Sequence, residues 1–185
     1  MIYNAKCGDI FLCDSDRIGA RIVKFFMTAP TLWQYLWRAV RGTQEKVRYY
    51  HAGMVINYTS MIEQQGKVQY GNTQKILSRR ITIYRKKNLT TEQATLLLER
   101  AQNQIGQGYG IEDILAHTFA WLTGLQFIVI LVGALSRNKN ICVNRVARWY
   151  NHICKFDSNW YQITTKTMDQ YCQTHPDEWE IVYTN

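Results

Sequence analysis

The chain is poor in proline and in charge, with only 2 prolines among 185 residues and 19% charged residues. Linkers and collagen-like chains are rich in proline and glycine, and disordered chains are rich in charge and poor in aromatic residues. Here 46% of the residues are hydrophobic and 13% are aromatic. The composition therefore excludes these classes, and the length suits a single folded domain over residues 1–185.

The sequence also lacks the cysteine spacings that bind metals or form redox pairs. Its five cysteines include no Cys-x-x-Cys pair and no arrangement with histidine that matches a zinc site. The N-terminus shows no basic segment followed by an apolar stretch, so we expect no signal peptide and no disulfide framework. The sequence predicts a reduced protein of cytoplasmic or unassigned location, with no metal site and no cofactor.

No apolar run reaches the length of a membrane-spanning helix. The longest candidate, at 119–135, is interrupted by Thr123, Gln126 and two glycines, and a span needs about 20 mostly apolar residues. We therefore expect no transmembrane span. The run is predicted to be a buried core segment, with docking on a lipid surface as the alternative.

Basic residues outnumber acidic ones, 22 Lys and Arg against 14 Asp and Glu, which gives a formal net charge of +8. A positive chain favours anionic partners, and the charge does not choose among nucleic acid, a cell wall and an acidic lipid surface. The basic stretch at 79–87, together with the many Trp and Tyr residues, is one candidate nucleic-acid contact. We favour a solvated strand with the aromatic residues in the core, so nucleic acid is not an expected partner.

Hydrophobic periodicity predicts an α+β order of elements rather than alternating βα units. Runs rich in apolar and β-branched residues predict strands at 7–14, 51–58, 61–63, 68–70 and 81–84, with a turn at 57–60. Helical spacing predicts helices after Ser15 or Asp16, over 31–40, after a capping box at Thr90, over 111–122 and over 142–153. We expect a small antiparallel sheet packed against helices.

Three residues are candidates for nucleophilic catalysis. Cys142 lies at a predicted helix start, capped by Asn138 or Asn140, where free N–H groups and the helix dipole favour a thiolate and can bind an oxyanion. His51 begins a strand, and imidazole is the usual base for a cysteine nucleophile. Glu63 on the return strand is placed to orient that imidazole. The structural alternatives are a core thiol, a core histidine and a surface carboxylate.

The geometry of the hairpin decides whether Glu63 can take this role. A simple hairpin over 57–60 pairs Met54 with Glu63 and sends His51 to the opposite face of the sheet. A bulge or an unusual loop register is then required to bring His51 and Glu63 together.

In their order along the chain, these motifs resemble the circularly permuted NlpC-type cysteine hydrolases, the YiiX/YebB-like branch of the papain-like fold. The matching segments are GDIFLC, YYHAGMVI, MIEQQGKVQ, YGIEDIL and ICVNRVARWY, which together cover roughly residues 8 to 150. The resemblance implies a permuted papain-like fold with Cys142 as nucleophile, His51 as base, Glu63 as orienting residue and Tyr109 at the substrate-binding site. This chain departs from the family after the cysteine, where Val143 and Asn144 replace small or acidic residues.

The resemblance also implies a function. The implied function is that of a cysteine peptidase or amidase, which is a thiol hydrolase. Such an enzyme cleaves an amide, for example in a cell-wall peptide, through an acyl-enzyme. A lipid acyl hydrolase or acyltransferase on the same fold is one alternative, and a non-catalytic basic binding module is another. The partners expected are a peptide or acyl substrate and an anionic surface, either cell wall or lipid.

Overall fold

The computed structural model describes residues 3–14, 31–43, 47–108, 111–125, 141–156, 159–160 and 163–185. Within these ranges the chain contains six strands, which form one antiparallel sheet, and six helices. The expected class, an α+β fold with an antiparallel sheet, is confirmed. The helix predicted after Ser15 or Asp16 and the part of the apolar run beyond Leu125 lie outside these ranges. Within 119–125 the expected burial of the run is wrong for Phe119, Leu122 and Leu125, which are 49%, 50% and 45% exposed.

The sheet is built around a short central strand. Its strands are β1 (Ile10–Cys13), β2 (His51–Val55), β3 (Ser60–Gln65), β4 (Lys67–Asn72), β5 (Ile81–Lys86) and β6 (Trp179–Thr184), in the order β4-β3-β2-β1-β5-β6. All four residues of β1 are buried, which explains why its sequence is apolar without alternation. Strand β6 was not predicted, because as an edge strand it has one buried residue, Trp179, and otherwise exposed or half-buried side chains.

The helices agree only partly with the sequence-based predictions. They are α1 (Leu32–Val40), α2 (Thr73–Leu77), α3 (Thr91–Gln102), α4 (Ile111–Thr123), α5 (Cys142–Tyr150) and α6 (Thr165–Thr174). The capping box at Thr90 is present, whereas α2 and α6 were not predicted. The caps predicted for α5 are wrong, because its N-cap residue is Ile141 and no side chain caps it. No helix within the described ranges is both long enough and apolar enough to cross a membrane.

Each face of the sheet carries its own hydrophobic cluster, as alternating side chains in strands require. Leu12, Met54 and Ile62 pack on one face against residues of α3, α5 and α6, among them the buried Trp149. Phe11 belongs to the smaller cluster on the other face. In their strands, His51 and Glu63 occupy the positions that alternate with residues of the larger cluster. Their side chains therefore lie on the same face of the sheet as Phe11.

We predict that the glycine at the centre of this second face cannot be replaced without cost. Gly53 pairs with Phe11 on one side and Glu63 on the other. A Cβ built on Gly53 would lie 2.4 Å from Phe11 Cζ and 2.8 Å from Ile62 O. Gly53→Ala should therefore lower the free energy of unfolding, measured by urea denaturation, by about 1–3 kcal/mol, as overpacked cores do.

Gly108→Ala is the matched control, since nothing lies within 4 Å of a Cβ built there. It should change the free energy of unfolding by less than about 0.5 kcal/mol. Equal losses in the two variants would show that the close contacts at Gly53 do not limit stability.

Candidate active site

The β2–β3 hairpin places His51 and Glu63 on the same face of the sheet. Gly53 pairs with Glu63, and Met54 pairs with Ile62. The pairing of Met54 with Glu63 expected from a simple hairpin is therefore wrong, and the register differs from it by one residue. A shift of one residue exchanges the faces of a strand, so Glu63 joins the face of His51 and becomes its diagonal neighbour across the strand pair.

The loop that sets this register is organised by Asn57. Its Oδ1 accepts hydrogen bonds from the backbone N–H groups of Thr59, at 2.9 Å, and Ser60, at 2.8 Å. The N–H groups of Ile56 and Asn57 both donate to Ser60 O. An asparagine that bonds the backbone two residues on forms an Asx turn. Val55 pairs with Met61, so an odd number of residues, 56–60, separates these two paired positions, and this odd number produces the unusual register.

The imidazole of His51 is bonded to the carboxylate of Glu63 in a buried setting. His51 Nε2 lies 2.8 Å from Glu63 Oε2, and the two residues are 4% and 5% exposed. Gln65 Nε2 donates to the same carboxylate oxygen at 3.1 Å. A carboxylate that accepts from Nε2 fixes the tautomer, so Nδ1 is the ring nitrogen left for another partner.

Aromatic neighbours restrict the orientation of the His51 ring. The ring centroid of Phe11 lies 5.9 Å from that of His51, and the centroid of Tyr50 lies 5.8 Å from it. Gly53 has no Cβ, and the Phe11 ring occupies the space in which a Cβ would lie. The ring is therefore held by packing as well as by the bond to Glu63.

Cys142 is the first residue of α5, and its thiol lies beside the start of β2. Cys142 Sγ is 4.0 Å from Tyr50 O, its hydrogen-bond acceptor, and the charge and hydrogen bonding of Cys142 both act to raise the pKa of His51. The residue is 4% exposed. The N-cap residue Ile141 has no side chain that could bind the N–H groups of the first helical turn.

The charges of the three side chains are coupled. Burial disfavours the imidazolium, but the charge and hydrogen bond of Cys142, followed by those of Glu63, outweigh burial and raise the pKa of His51 to about 9. Near neutral pH the ring therefore carries a proton on each nitrogen, between the sulfur of Cys142 and the carboxylate of Glu63. A positively charged imidazole beside a cysteine favours the thiolate, the form of sulfur that attacks as a nucleophile.

The other four cysteines are in environments that oppose ionisation. Burial raises the pKa of Cys13 and that of Cys154 to about 12 in each case. Burial also raises the pKa of Cys172, and burial together with Asp9 raises that of Cys7. All four are free thiols, and they stay protonated near neutral pH.

Tyr109, the residue expected at the substrate-binding site, lies outside the described residues. The segment just before it is tied to the candidate site, because Gly108 O accepts from Gln64 Nε2 at 3.0 Å and from Arg145 Nη2 at 3.3 Å. Arg145 also donates to Gln104 and Gln107 and is fully buried. The sequence places Arg145 off the apolar stripe of α5 and gave no signal of this burial.

An open cleft of about 570 Å³ lies elsewhere in the described part of the chain. It is lined by residues that precede β1, such as Asp9, and by residues that end β5, such as Lys86 and Lys87. His51 pairs with Cys13 at the opposite end of β1. The cleft and the Cys142 site are therefore at different ends of the sheet.

The structure is thus an α+β fold with a buried cysteine, histidine and glutamate at one end of its sheet. The structure is similar to the crystal structure of the metalloprotein YiiX from Escherichia coli O157:H7, with a TM-score of 0.54 and 15% sequence identity. The similarity covers 98% of this chain and 90% of YiiX and shows a shared fold. No protein-family model matches the sequence, and no curated protein matches it.

The charge coupling predicts graded effects on the pKa of His51. Cys142→Ala removes the larger source of stabilisation of the imidazolium, and Glu63→Gln removes the carboxylate charge while keeping an oxygen acceptor. We expect the pKa of His51 to fall from about 9 in both variants and to fall further in Cys142→Ala. NMR titration of the wild-type protein and both variants with labelled histidine measures this pKa. A His51 pKa that remains near 9 in both variants would contradict the coupling.

Proposed function

We propose that this protein is a cysteine hydrolase of the peptidase or amidase type, with a permuted papain-like fold in one domain. Cys142 is the nucleophile, His51 the general acid and base, and Glu63 the residue that orients His51. The observation that carries the proposal is the connected line of thiol, imidazole and carboxylate at the start of α5. The shared fold with YiiX supports the assignment to the YiiX/YebB-like branch.

The proposed reaction begins with attack of the Cys142 thiolate on the carbonyl carbon of an amide. A C–S bond forms, and the oxyanion is stabilised by N–H groups at the N-terminus of α5. The His51 imidazolium then gives its proton to the leaving amine as the C–N bond breaks. Neutral His51 next removes a proton from water, which attacks the thioester, and release of the acid restores the ion pair. Throughout, Glu63 stabilises the charged form of His51.

Lipid acyl hydrolysis or acyl transfer is the second candidate function, because it uses the same thioester with another acyl donor or acceptor. The observation that favours it is the exposure of large apolar side chains on α1 and α4, including Trp33, Trp37 and Phe119. A cell-wall peptide remains the substrate class implied by the resemblance. The net charge of +8 suits an anionic surface in either case.

The basic stretch at 79–87 gives less support to a non-catalytic role in binding nucleic acid. Arg85 Nε is 2.8 Å from Asp9 Oδ1, and Lys86 Nζ is 2.7 Å from Glu178 Oε2. Lys87 Nζ donates to Pro176 O at 2.8 Å. These three basic side chains are engaged within the chain, so we do not propose them as a phosphate-binding surface.

The proposed mechanism uses no metal, although YiiX is described as a metalloprotein. In the part of the chain that the structure describes, no three His, Cys, Asp or Glu side chains converge in a way that could hold a metal ion.

Covalent labelling with an electrophilic acyl probe tests the proposed nucleophile. The wild-type protein should be labelled, Cys142→Ala should lose labelling, and His51→Ala should slow it by roughly 100-fold or more, the usual contribution of a general base. Cys154→Ala, which alters another buried thiol, is the matched control and should keep the wild-type rate. Labelling that survives in Cys142→Ala and disappears in Cys7→Ala or Cys13→Ala would reject the proposal.

The pH dependence of acylation tests the role of His51. Since the imidazolium is the acid, acylation by an amide probe should decline as pH rises through about 9, the raised pKa of His51. Glu63→Gln lowers that pKa, so its decline should begin at lower pH. Rates measured from pH 6 to about 10 give both profiles. Identical descending limbs in the two proteins would assign the limb to a group other than His51.

A further inference from the structure

Helix α1 carries its apolar stripe on the side exposed to solvent. Four residues spaced as i, i+3, i+4 and i+7 form the stripe, with exposed fractions of 72% for Trp33, 45% for Leu36, 59% for Trp37 and 85% for Val40. No residue of α1 is buried. An amphipathic helix of a globular protein normally turns such a stripe toward the core, so α1 presents a face that the described residues do not cover.

Helix α4 adds a second exposed apolar stripe beside the first. Its members are Leu115, Phe119 and Leu122, followed by Leu125 just beyond the helix, and they are between 45% and 62% exposed. The two helices contact each other through Tyr35 and Trp121, whose ring centroids are 6.2 Å apart. We name the exposed side chains of both stripes the α1–α4 surface: Trp33, Leu36, Trp37, Val40, Leu115, Phe119, Leu122 and Leu125.

Positively charged residues lie next to the part of this surface that α1 forms. The guanidinium carbon of Arg41 lies 4.1 Å from the centroid of the Trp37 ring, and Arg38 lies in the last turn of α1. Burial and the charge of Arg38 lower the pKa of Lys166. The segment 32–40 contains no acidic residue. Tryptophan next to arginine is typical of helices that lie at the interface of anionic membranes.

We propose that the α1–α4 surface docks on the interface of an anionic lipid bilayer. The tryptophan, leucine and valine side chains enter the boundary between headgroups and acyl chains, and Arg41 faces the lipid phosphates. Charge complementarity selects this partner over a second copy of the chain, because two copies would bring their arginines together. The docking does not depend on the chemistry of Cys142.

The location of α1 relates this docking to the candidate active site. Arg38 is close enough to influence Lys166, and the neighbouring Thr165 donates to Tyr49 O at 2.6 Å. Tyr49 lies two residues before His51. These contacts link α1, through the start of α6, to the segment that leads into β2.

Co-sedimentation of the full chain with vesicles tests the proposal. Vesicles of phosphatidylcholine with phosphatidylglycerol should bind the protein, pure phosphatidylcholine should bind it less, and added salt should weaken binding. Trp33→Ala combined with Trp37→Ala should reduce binding roughly tenfold or more, because both rings leave the interface. Arg41→Gln should reduce the preference for anionic vesicles. Since both tryptophans are exposed, these variants are expected to fold, which circular dichroism checks.

Tyr58→Ala combined with Tyr70→Ala is the matched control, since both tyrosines are exposed but belong to the β2–β3 loop and to β4. This variant and Cys142→Ala should bind vesicles like the wild type. Because Cys142→Ala should lose probe labelling but keep vesicle binding, failure of the docking proposal can be distinguished from failure of the proposed function. Quenching of tryptophan fluorescence by brominated lipid should weaken when Trp33 and Trp37 are replaced. No vesicle binding, binding unaffected by the tryptophan replacements, or a dimer that those replacements dissociate would overturn the proposal.

Discussion

The candidate site depends on the register of one hairpin. Glu63 reaches His51 only because it pairs with Gly53 rather than with Met54, and the loop around Asn57 imposes that pairing. Two glycines, which have no side chain, allow the residues around His51 and Glu63 to pack closely. The Phe11 ring occupies the space over Gly53, and a Cβ built on Gly71 would lie 2.9 Å from Glu63 Oε1. One turn and two glycines thus determine whether a base and its carboxylate meet.

A second group of contacts holds the start of α5 against this hairpin. Asn144 donates from Nδ2 to Trp160 O at 2.9 Å and to Ile163 O at 2.8 Å, and the buried Arg145 bonds Gln107 and Gly108 O. Both residues follow Cys142 within one helical turn, so the segments on either side of α5 fix the position of the thiol. A buried guanidinium needs such acceptors, because an unpaired charge in the interior is costly. The polar residues of α5 therefore serve to place its first residue.

The sequence predicts the parts of this site better than their assembly. Apolar periodicity located the strand that begins at His51 and the helix that begins at Cys142, because both follow local rules of burial. The register between His51 and Glu63 could not be predicted, since it depends on the loop conformation around Asn57. The burial of Arg145 and the pairing of β6 depend on contacts between distant segments, which periodicity does not report. For α1 the sequence predicts only a helix over 31–40, because periodicity does not indicate which side of a helix stays exposed to solvent.

The separation of these residues along the chain has a consequence for biosynthesis. His51 and Glu63 are only 12 residues apart, so they can meet within a local hairpin while the rest of the chain is still being made. Cys142 follows the Tyr50 carbonyl that it contacts by 92 residues, and Thr165, which binds the backbone at Tyr49, comes later still. Long-range contacts of this kind form late in folding. A nascent chain therefore carries the imidazole and its carboxylate well before Cys142 is synthesised, and the three side chains can meet only after α5 has been made.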